Sequence, residues 1–315
     1  MYYPIIRGRQ YDLLAIRELA VNERLSRHIT PIIEPIKLNS TLISTLSEIK
    51  NAQNSAVVIS NPKVGSFMGE LEIEDIKHKF IELTKENNVT IAHHFNKNSV
   101  EQIRDIIESY EVELNDIVVV HSEKKFVNFY NDIFEEETPK LNLIPLDNAF
   151  RRQLNGKNLV GLDDKFNKLL RNADYLDNEN EFFSEEHLFF AEEGYIGFSD
   201  YSVVGAEFNE GGFAPYAVAI HIAYPNEENA LEIMHFVSDS NRDTSDPAGK
   251  FSEALDKLIK WYVDYSDNDY MNTLAMQIFK RHHNEGTYPG LPTLKKLSIM
   301  HHLELVGNIL EGRLR

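Results

Sequence analysis

Polar and charged residues follow most of the short apolar runs in this sequence, at positions where parallel strands would end. They are Arg7, Arg9, Glu34, Lys37, Asn61, Lys63, His93, His94, His121, Asp147, Asp163 and Asp200. Proteins built from parallel strands bind their ligands outside the carboxyl ends of those strands. The set therefore predicts a pocket for a small anion or a metal ion. Strand ends are also polar in proteins that bind nothing there, and this alternative stays open.

Three residues of this set are candidates for catalysis: Glu34, His121 and Asp200. Two imidazoles and one carboxylate can hold a metal ion that polarises a bound water for hydrolysis. His93 and His121, with Glu34 or Asp147, would supply those ligands. Adjacent strand residues point to opposite faces, so only one of His93 and His94 can face such a pocket. The alternative is that these histidines are structural or face solvent. We predict no cofactor, and the divalent metal ion is kept only as an open alternative.

A basic cluster at the same strand ends favours an anionic ligand instead. Arginine presents a planar pair of donors to phosphate or carboxylate. The residues predicted to bind such a ligand are Arg7, Arg9, Lys37, His93 and Asp147. Equally, Arg7 or Arg9 could form an internal ion pair with Glu34.

Two further histidines, His221 and His235, lie on the two arms of a predicted hairpin and could pair across it. With Ser199 and Asp200 they would supply the side chains of a Ser-His-Asp triad. Ser199 lacks the Gly-x-Ser-x-Gly turn that exposes a nucleophilic serine. The triad is therefore disfavoured.

The elements that would position these residues alternate between short strands and amphipathic helices. Strands are predicted at 3–7, 29–36, 56–61, 89–95, 116–121, 141–147, 158–163 and 195–200. Eight strands that alternate with helices are typical of parallel βα units, and a closed eight-stranded barrel takes about 250 residues. No Gly-x-Gly-x-x-Gly motif follows the first strand, which disfavours a dinucleotide-binding open sheet. The predicted fold is α/β, a (β/α)8-like (TIM-type) barrel.

Two additions to this barrel are predicted. An antiparallel hairpin insertion at about 216–238 follows strand eight, where it would lie on the functional face. The helix that begins after Asp246-Pro247 would be the eighth barrel helix, and helices are also expected at 164–177 and 184–193. We expect 1–265 to form the barrel-like domain and 266–315 to form a C-terminal helical extension.

The chain is acidic, with 32 Lys and Arg against 50 Asp and Glu and a net charge of −18. Between Arg171 and Arg242 there are 15 acidic residues and no Lys or Arg. A surface of one sign steers a partner of the opposite sign, so we expect the segment at about 174–239 to bind a basic protein. A solvated surface without a partner is the alternative. The residues expected to contact the partner are Glu185, Glu186, Glu192, Glu193, Glu207 and Glu210.

The same composition excludes several classes of protein. An acidic chain is repelled by nucleic acid and by anionic membranes, so we expect no direct nucleic-acid binding. The absence of cysteine excludes disulfides, thiolate catalysis and cysteine-ligated zinc. No apolar run is long enough to span a membrane, and the N-terminus has no signal-peptide pattern. We therefore expect a cytoplasmic protein.

The start of the chain resembles the beta-protein family, which is named after a satellite-phage protein and occurs widely in bacterial genomes. The segments that carry the resemblance are Tyr3-Pro4-Ile5-Ile6-Arg7-Gly8-Arg9, Glu18-Leu19 and Ile32-Ile33-Glu34-Pro35-Ile36-Lys37. The later Gly197-Phe198-Ser199-Asp200-Tyr201, before a long hairpin, is similar to the second half of the family. The phage protein counteracts a toxin encoded beside it. The resemblance therefore implies an antitoxin, immunity or phage-defence component with a barrel-like fold, and it implies no catalytic residues.

Two functions are expected from these observations. The first is a protein-binding component of a toxin–antitoxin or phage-defence module, which neutralises or assembles with a basic effector through the acidic segment. The alternative is a barrel enzyme, either a metal-dependent hydrolase or an enzyme with a phosphate-bearing ligand, that acts at the carboxyl ends of the strands.

Overall fold

The computed structural model describes residues 1–71, 74–154, 156–209, 215–265 and 268–314, with 74–76 in backbone only. Its strands are β1 (Ile5–Arg7), β2 (Ile32–Glu34), β3 (Ala56–Ile59), β4 (Val89–His94), β5 (Val118–Val120), β6 (Leu141–Pro145), β7 (Leu159–Leu162), β8 (Asn180–Ser184), β9 (Gly197–Ser199), β10 (Ala219–Pro225) and β11 (Leu231–Val237). Its α-helices are α1 (Gln10–Val21), α2 (Ser40–Asn51), α3 (Phe67–Glu70), α4 (Glu74–Thr84), α5 (Ser99–Tyr110), α6 (Val127–Ile133), α7 (Asn148–Gln153), α8 (Glu186–Phe189), α9 (Pro247–Tyr262), α10 (Leu274–Glu285) and α11 (Leu291–Leu310).

Eight of the strands form one parallel sheet in the order β1-β2-β3-β4-β5-β6-β7-β9. A parallel bridge between Tyr2 and Phe198 joins the two ends of this sheet. There the backbone N–H of Tyr3 donates to the carbonyl of Phe198 at 2.9 Å. The sheet is therefore a nearly closed barrel with helices between its strands, and the predicted TIM-like fold is confirmed.

The apolar runs form strands because they are covered on both faces. Every residue of β3 and of β5 is buried, as expected for parallel strands that lie between the barrel interior and a helical layer. The helices α1 and α2 pack against each other. They bury one apolar stripe each, which includes Leu13 and Ile16 on α1 and Leu42 and Leu46 on α2.

The chain forms two compact units. The barrel unit comprises Met1–Glu23, Arg27–Asp163 and Glu186–Asp200, and the second unit comprises Arg24–Ser26, Asp164–Glu185 and Tyr201–Arg315. The domain boundary expected at residue 265 does not coincide with this grouping.

The second unit contains an antiparallel sheet in the order β10-β11-β8. The predicted hairpin is confirmed as β10 and β11, which pair from Ala219 with Val237 to Pro225 with Leu231. The third strand, β8, lies in a region where no strand was predicted. Its first three residues are exposed or half-buried and only Phe183 and Ser184 are buried, so the sequence lacks a strong alternating pattern there.

Three helix predictions are corrected. The stretch 164–177 contains only a 3-10 helix at Asn172–Asp177, and 184–193 contains only the four-residue α8. The helix after Asp246-Pro247 is α9, which packs on β10, β11 and α10. It therefore belongs to the second unit and is not the eighth barrel helix.

Among the described residues, no helix combines the length and the apolar character that crossing a membrane requires.

Candidate functional site

A buried ion pair lies at the carboxyl ends of the first two barrel strands. Arg7 and Glu34 are the last residues of β1 and β2 and are partners in the parallel register. The Arg7 guanidinium binds Oε2 of Glu34. The side chain of Glu34 is only 2% exposed, and that of Arg7 is 13% exposed. Of the two alternatives for this basic residue, the structure therefore contains the internal ion pair.

The second oxygen of this carboxylate accepts two further hydrogen bonds. The backbone N–H of Lys63, in the loop after β3, donates to Oε1 of Glu34 at 2.9 Å. Nε2 of His94, at the end of β4, lies 3.3 Å from the same oxygen. Burial alone would raise the pKa of Glu34, but His94, Arg7 and the Lys63 N–H together lower this pKa to about 2. Glu34 is therefore an ionised, fully bonded carboxylate at neutral pH.

Two glycines allow the chain to bring these groups together. The N–H of Gly8 donates to the carbonyl of Glu34 at 2.8 Å, and a Cβ at this position would lie 2.8 Å from Cα of Pro35. Gly65 has a φ of +84°, and a Cβ there would lie 2.2 Å from the carbonyl oxygen of Ile36. These close approaches hold the chain after β1 and the loop after β3 against the end of β2.

His94 supplies the chemistry that this cluster could perform. An ionised carboxylate only accepts hydrogen bonds, so Nε2 of His94 carries the hydrogen that points at Glu34. The other ring nitrogen, Nδ1, is buried and has no hydrogen-bond partner among the described residues, while the side chain is 8% exposed. A carboxylate that orients an imidazole in this way is a common arrangement for moving a proton or holding a polar ligand. We call Arg7, Glu34, Lys63 and His94 the mouth cluster.

His93 lies on the opposite side of its strand from the mouth cluster. Its Nε2 is 2.8 Å from Oγ of Ser99, the first residue of α5, and the residue is fully buried. His94 therefore takes the position at the strand ends that the sequence analysis gave to His93. Burial and the neighbouring His94 lower the pKa of His93 to about 3, so its ring is neutral.

His121 is also directed to the helical layer. Its Nε2 lies 3.0 Å from Oδ1 of Asn142, whose amide nitrogen donates to the hydroxyl of Tyr130 on α6 at 3.1 Å. Its ring packs near Phe95 and Phe150. Burial lowers the pKa of His121 to about 4, although the bond to Asn142 opposes this shift. The proposed metal ligands His93, His121 and Glu34 are therefore not brought together.

Asp200 forms a hydrogen bond with Tyr2 at the end of the barrel sheet. The Tyr2 hydroxyl donates to Oδ1 of Asp200 at 2.6 Å. Ser199 donates its hydroxyl to the carbonyl of Tyr3 at 2.6 Å. Both residues are buried and engaged at the seam between the ends of the barrel sheet, where Ile5 donates its N–H to the carbonyl of Asp200 at 2.8 Å.

The remaining strand-end residues differ in their burial and in their contacts. Asp147 is exposed and caps α7 by accepting the N–H of Ala149 at 2.7 Å. Arg9 is half-buried directly before α1, Lys37 is exposed, and Asp163 is half-buried. Asn61 bonds the backbone of His94, accepting its N–H at 2.7 Å and donating to its carbonyl at 3.0 Å. Within the described residues, no group of three or more histidine and carboxylate side chains is arranged to hold a metal ion.

The predicted pairing of His221 and His235 is confirmed. They are register partners in the hairpin, and their Nδ1 atoms lie 2.7 Å apart. Oε1 of Glu181 lies 3.2 Å from Nε2 of His235. Burial is the main cause that lowers the pKa of both imidazoles. The pKa of His221 is lowered to about 3. The pair is therefore a buried neutral bridge in the second unit.

Part of the acidic segment is used inside the second unit. Besides Glu181, the carboxylate of Glu232 accepts the hydroxyl of Tyr224 at 2.7 Å, and Asp239 forms an ion pair with Lys257 at 2.7 Å. Glu207, one of the predicted contact residues, is exposed and forms an ion pair with Lys168 at 3.0 Å. Its pKa is lowered chiefly by that lysine. Glu210 lies outside the described residues.

The other predicted contact residues flank the short helix α8. Glu185, Glu192 and Glu193 are exposed and Glu186 is half-buried. Within the described part of the chain, neither Glu192 nor Glu193 has a carboxylate ion pair. Arg151, on α7, reaches only the backbone carbonyl of Glu193, at 3.4 Å.

Large apolar side chains are exposed beside these carboxylates, which sequence reasoning did not identify. Leu188 is 37% exposed, Phe189 is 42% exposed and Ile196 is 45% exposed. We call Leu188, Phe189, Ile196, Glu192 and Glu193 the α8 surface. All five belong to the barrel unit. The short apolar run Leu188-Phe189-Phe190 next to acidic residues was the signal in the sequence, and it lies in the stretch 184–193, for which only a helix was predicted.

The chain matches no protein-family model, no curated protein and no solved structure.

Proposed function

We propose that this chain is a cytoplasmic, protein-binding component of a toxin–antitoxin or phage-defence module. It neutralises or assembles with a basic protein, which it binds through the α8 surface. The observation that carries the proposal is the combination of exposed apolar side chains and unpaired carboxylates within ten residues of chain, 188–196.

The apolar part of this surface supports a protein partner rather than a solvated face. Phe189, at 42% exposure, has the size and rigidity of the aromatic anchors that dominate protein interfaces. Leu188 and Ile196 extend the exposed apolar area around it. A solvated helix face would carry polar side chains at these positions.

The charged part supports a basic partner. Glu192 and Glu193 are exposed without a carboxylate ion pair in the described chain, and the net charge of the chain is −18. A rim of uncompensated carboxylates speeds association with a basic protein and adds little to binding of an acidic or neutral one. Nucleic acid is disfavoured for the same reason.

Capture experiments on charge-reversed variants test this proposal. The tagged full-length chain is expressed in its native host with the neighbouring gene, and the protein recovered in stoichiometric amount is identified by mass spectrometry. We expect a basic protein that is lost from Glu192→Lys/Glu193→Lys and from Phe189→Ala. The matched control is Glu227→Lys/Glu228→Lys, which reverses two exposed charges of the same acidic segment at the hairpin turn.

The control variant should retain the partner. Equal loss from both double variants would show that total charge, and not the α8 surface, determines binding. Recovery of no basic protein from the wild-type chain would contradict the proposal. Each variant is compared with the wild type by circular dichroism, so that a loss of fold is not mistaken for a loss of binding.

A second candidate function has one specific observation in its favour, the mouth cluster. The buried Arg7–Glu34 pair orients His94 at the carboxyl ends of the barrel strands. Barrel proteins bind their ligands at this position. An enzyme with a phosphate-bearing ligand would use Arg7 to hold the anion and Nδ1 of His94 to exchange a proton. Titration with inorganic phosphate tests it: shifts of the His94 ring signals that His94→Gln abolishes would support this function, and unchanged signals would contradict it.

A further inference from the structure

The antiparallel sheet of the second unit has an open edge at the strand β8. The sheet order is β10-β11-β8, so β8 pairs with β11 on one side and with no strand of the described chain on the other. Asn180 and Phe182 on this strand are exposed, and Phe182 is 58% exposed. An exposed edge presents backbone N–H and C=O groups that can pair with a strand of another chain.

The hydrogen bonds to β11 determine which backbone groups of β8 face outwards. The N–H of His235 donates to the carbonyl of Glu179 at 2.8 Å, so these two residues form a hydrogen-bonded pair. Such pairs occur at every second residue of an antiparallel ladder. Glu181 is therefore the next residue bonded to β11, and the N–H and C=O groups of Asn180 and Phe182 point away from it.

The outward groups are not used within the described chain. Neither the backbone of Asn180 nor that of Phe182 has a hydrogen-bond partner among the described residues. The side chain of Asn180 donates to Glu232 at 2.7 Å and accepts the hydroxyl of Tyr224 at 3.0 Å, which holds the strand against its sheet. The edge therefore offers two donors and two acceptors with the spacing of a β-ladder.

The charges around this edge determine which kind of strand it accepts. Glu179 and Glu185 flank β8, are exposed, and have no ion pair within the described part of the chain. Like charges that face each other across two strands are destabilising, and opposite charges are stabilising. A second copy of β8 would add its own carboxylates to these. An extended segment with basic side chains would instead pair with them.

The exposed ring of Phe182 adds a preference for an apolar residue. A residue of the added strand that bonds to the backbone of Phe182 lies directly opposite it, with both side chains on the same face of the sheet. Aromatic and β-branched side chains pair favourably at such positions. The preferred segment therefore alternates basic residues with apolar, β-branched ones.

We propose that the free edge of β8 binds an extended basic segment of another protein as a fourth strand, through backbone hydrogen bonds to Asn180 and Phe182. Strand addition of this kind gains its affinity from main-chain hydrogen bonds and its specificity from alternate side chains. The site lies in the second unit. It goes beyond the proposed function and does not depend on the α8 surface.

Three peptides test this proposal on the full-length chain by amide NMR titration. The parent peptide has five residues that alternate lysine and valine, with lysine at both ends and blocked termini. One derivative is methylated on both valine nitrogens, whose N–H groups would face β8. The other is methylated on two lysine nitrogens, whose N–H groups would face solvent, so the two derivatives have the same mass and charge.

The two derivatives should differ in affinity. Methylation of the valines should weaken binding at least about tenfold, which is the range of one net hydrogen bond. Methylation of the lysines should leave the affinity close to that of the parent. Equal binding of both derivatives would show attraction by charge alone and would overturn the proposal. Absence of binding of the parent peptide would overturn it too.

Two substitutions locate the binding on β8. Phe182→Pro removes the outward N–H, and an edge strand tolerates proline where the N–H points away from its ladder. Phe182→Val keeps that N–H and is the matched control. The parent peptide should bind Phe182→Pro at least about tenfold more weakly than Phe182→Val, and equal binding to the two variants would place the peptide elsewhere. Circular dichroism checks the fold of both, and because the peptides are added without the captured partner, their failure would leave the α8 surface proposal standing.

Discussion

Replacement of Glu34 by glutamine measures how strongly the mouth cluster stabilises the barrel. The pKa of Glu34 lies at about 2 instead of its ordinary 4.5. Since each pKa unit corresponds to about 1.4 kcal/mol, the ionised carboxylate contributes about 3 kcal/mol to the free energy of unfolding at neutral pH. Glu34→Gln removes the negative charge that faces the buried Arg7, and breaking a buried ion pair on one side costs a similar amount, about 3–5 kcal/mol.

The pH dependence of this difference follows from the direction of the pKa shift. A carboxyl whose pKa is lowered by folding stabilises the folded state above its unfolded pKa, near 4.5. That stabilisation is lost as pH falls towards about 2, where the protonated wild type resembles the glutamine variant. The free-energy difference between wild type and Glu34→Gln should therefore be about 3 kcal/mol at pH 7 and close to zero at about pH 2.

Urea unfolding followed by far-UV circular dichroism, repeated across this pH range, provides the measurement. Glu108→Gln is the control, because Glu108 is exposed on α5 and surface substitutions change stability by about 0.5 kcal/mol or less. A Glu34→Gln variant within about 1 kcal/mol of the wild type at pH 7 would refute the reasoning. A large difference that does not change with pH would refute it too, because it would not arise from the charge.

Three further predictions concern buried groups and backbone contacts. Folding lowers the pKa of His93, His121, His221 and His301 to about 3–4. These neutral rings stabilise the folded state above the unfolded pKa of about 6.5, and that stability is lost as pH falls towards about 3–4. Unfolding at pH 5 should therefore take up protons. Calorimetry in two buffers measures this uptake, and its absence would contradict the prediction. Gly65→Ala should lower the melting temperature, because an alanine is strained at this positive φ and its Cβ would clash with Ile36. Gly69→Ala is the control: its Cβ would point into open space, so the melting temperature should not fall. Tyr2→Phe removes the hydrogen bond to Asp200 and should cost about 1–3 kcal/mol in urea unfolding; an unchanged unfolding midpoint contradicts that bond.

The barrel was predictable because its strands leave a strong signal in the sequence. Runs such as Val118–Val120 are apolar throughout, and parallel strands buried on both faces require this pattern. The cross-strand pair of His221 and His235 was predictable as well, because hairpin register follows from the position of the turn.

The second unit was harder to predict because its elements give weak local signals. In β8 the exposed Phe182 and the half-buried Glu181 break the alternation expected of a strand. Pairing with β11 stabilises this segment as a strand, and such a long-range contact is not visible in local periodicity. The helix α9 shows a clear helical pattern, but its sequence does not reveal that it packs on β10 and β11.

The mouth cluster illustrates which part of a site a sequence can reveal. The residue types at the strand ends pointed to Glu34 and Arg7, but the choice between His93 and His94 depends on strand register. A shift of one residue reverses which of the two faces Glu34. The role of the Lys63 backbone N–H depends on how the loop after β3 folds, and a backbone donor leaves no signal in residue type.

The affinity of the full-length chain for its captured basic partner, measured at two salt concentrations, tests the central claim most directly. Association should weaken clearly between about 50 and 200 mM NaCl, because exposed charges are screened over this range. At low salt, Glu192→Lys/Glu193→Lys should bind at least about tenfold more weakly than the wild type, and Glu227→Lys/Glu228→Lys should bind nearly as well. An affinity that is independent of salt and equal in both double variants would contradict binding through the α8 surface.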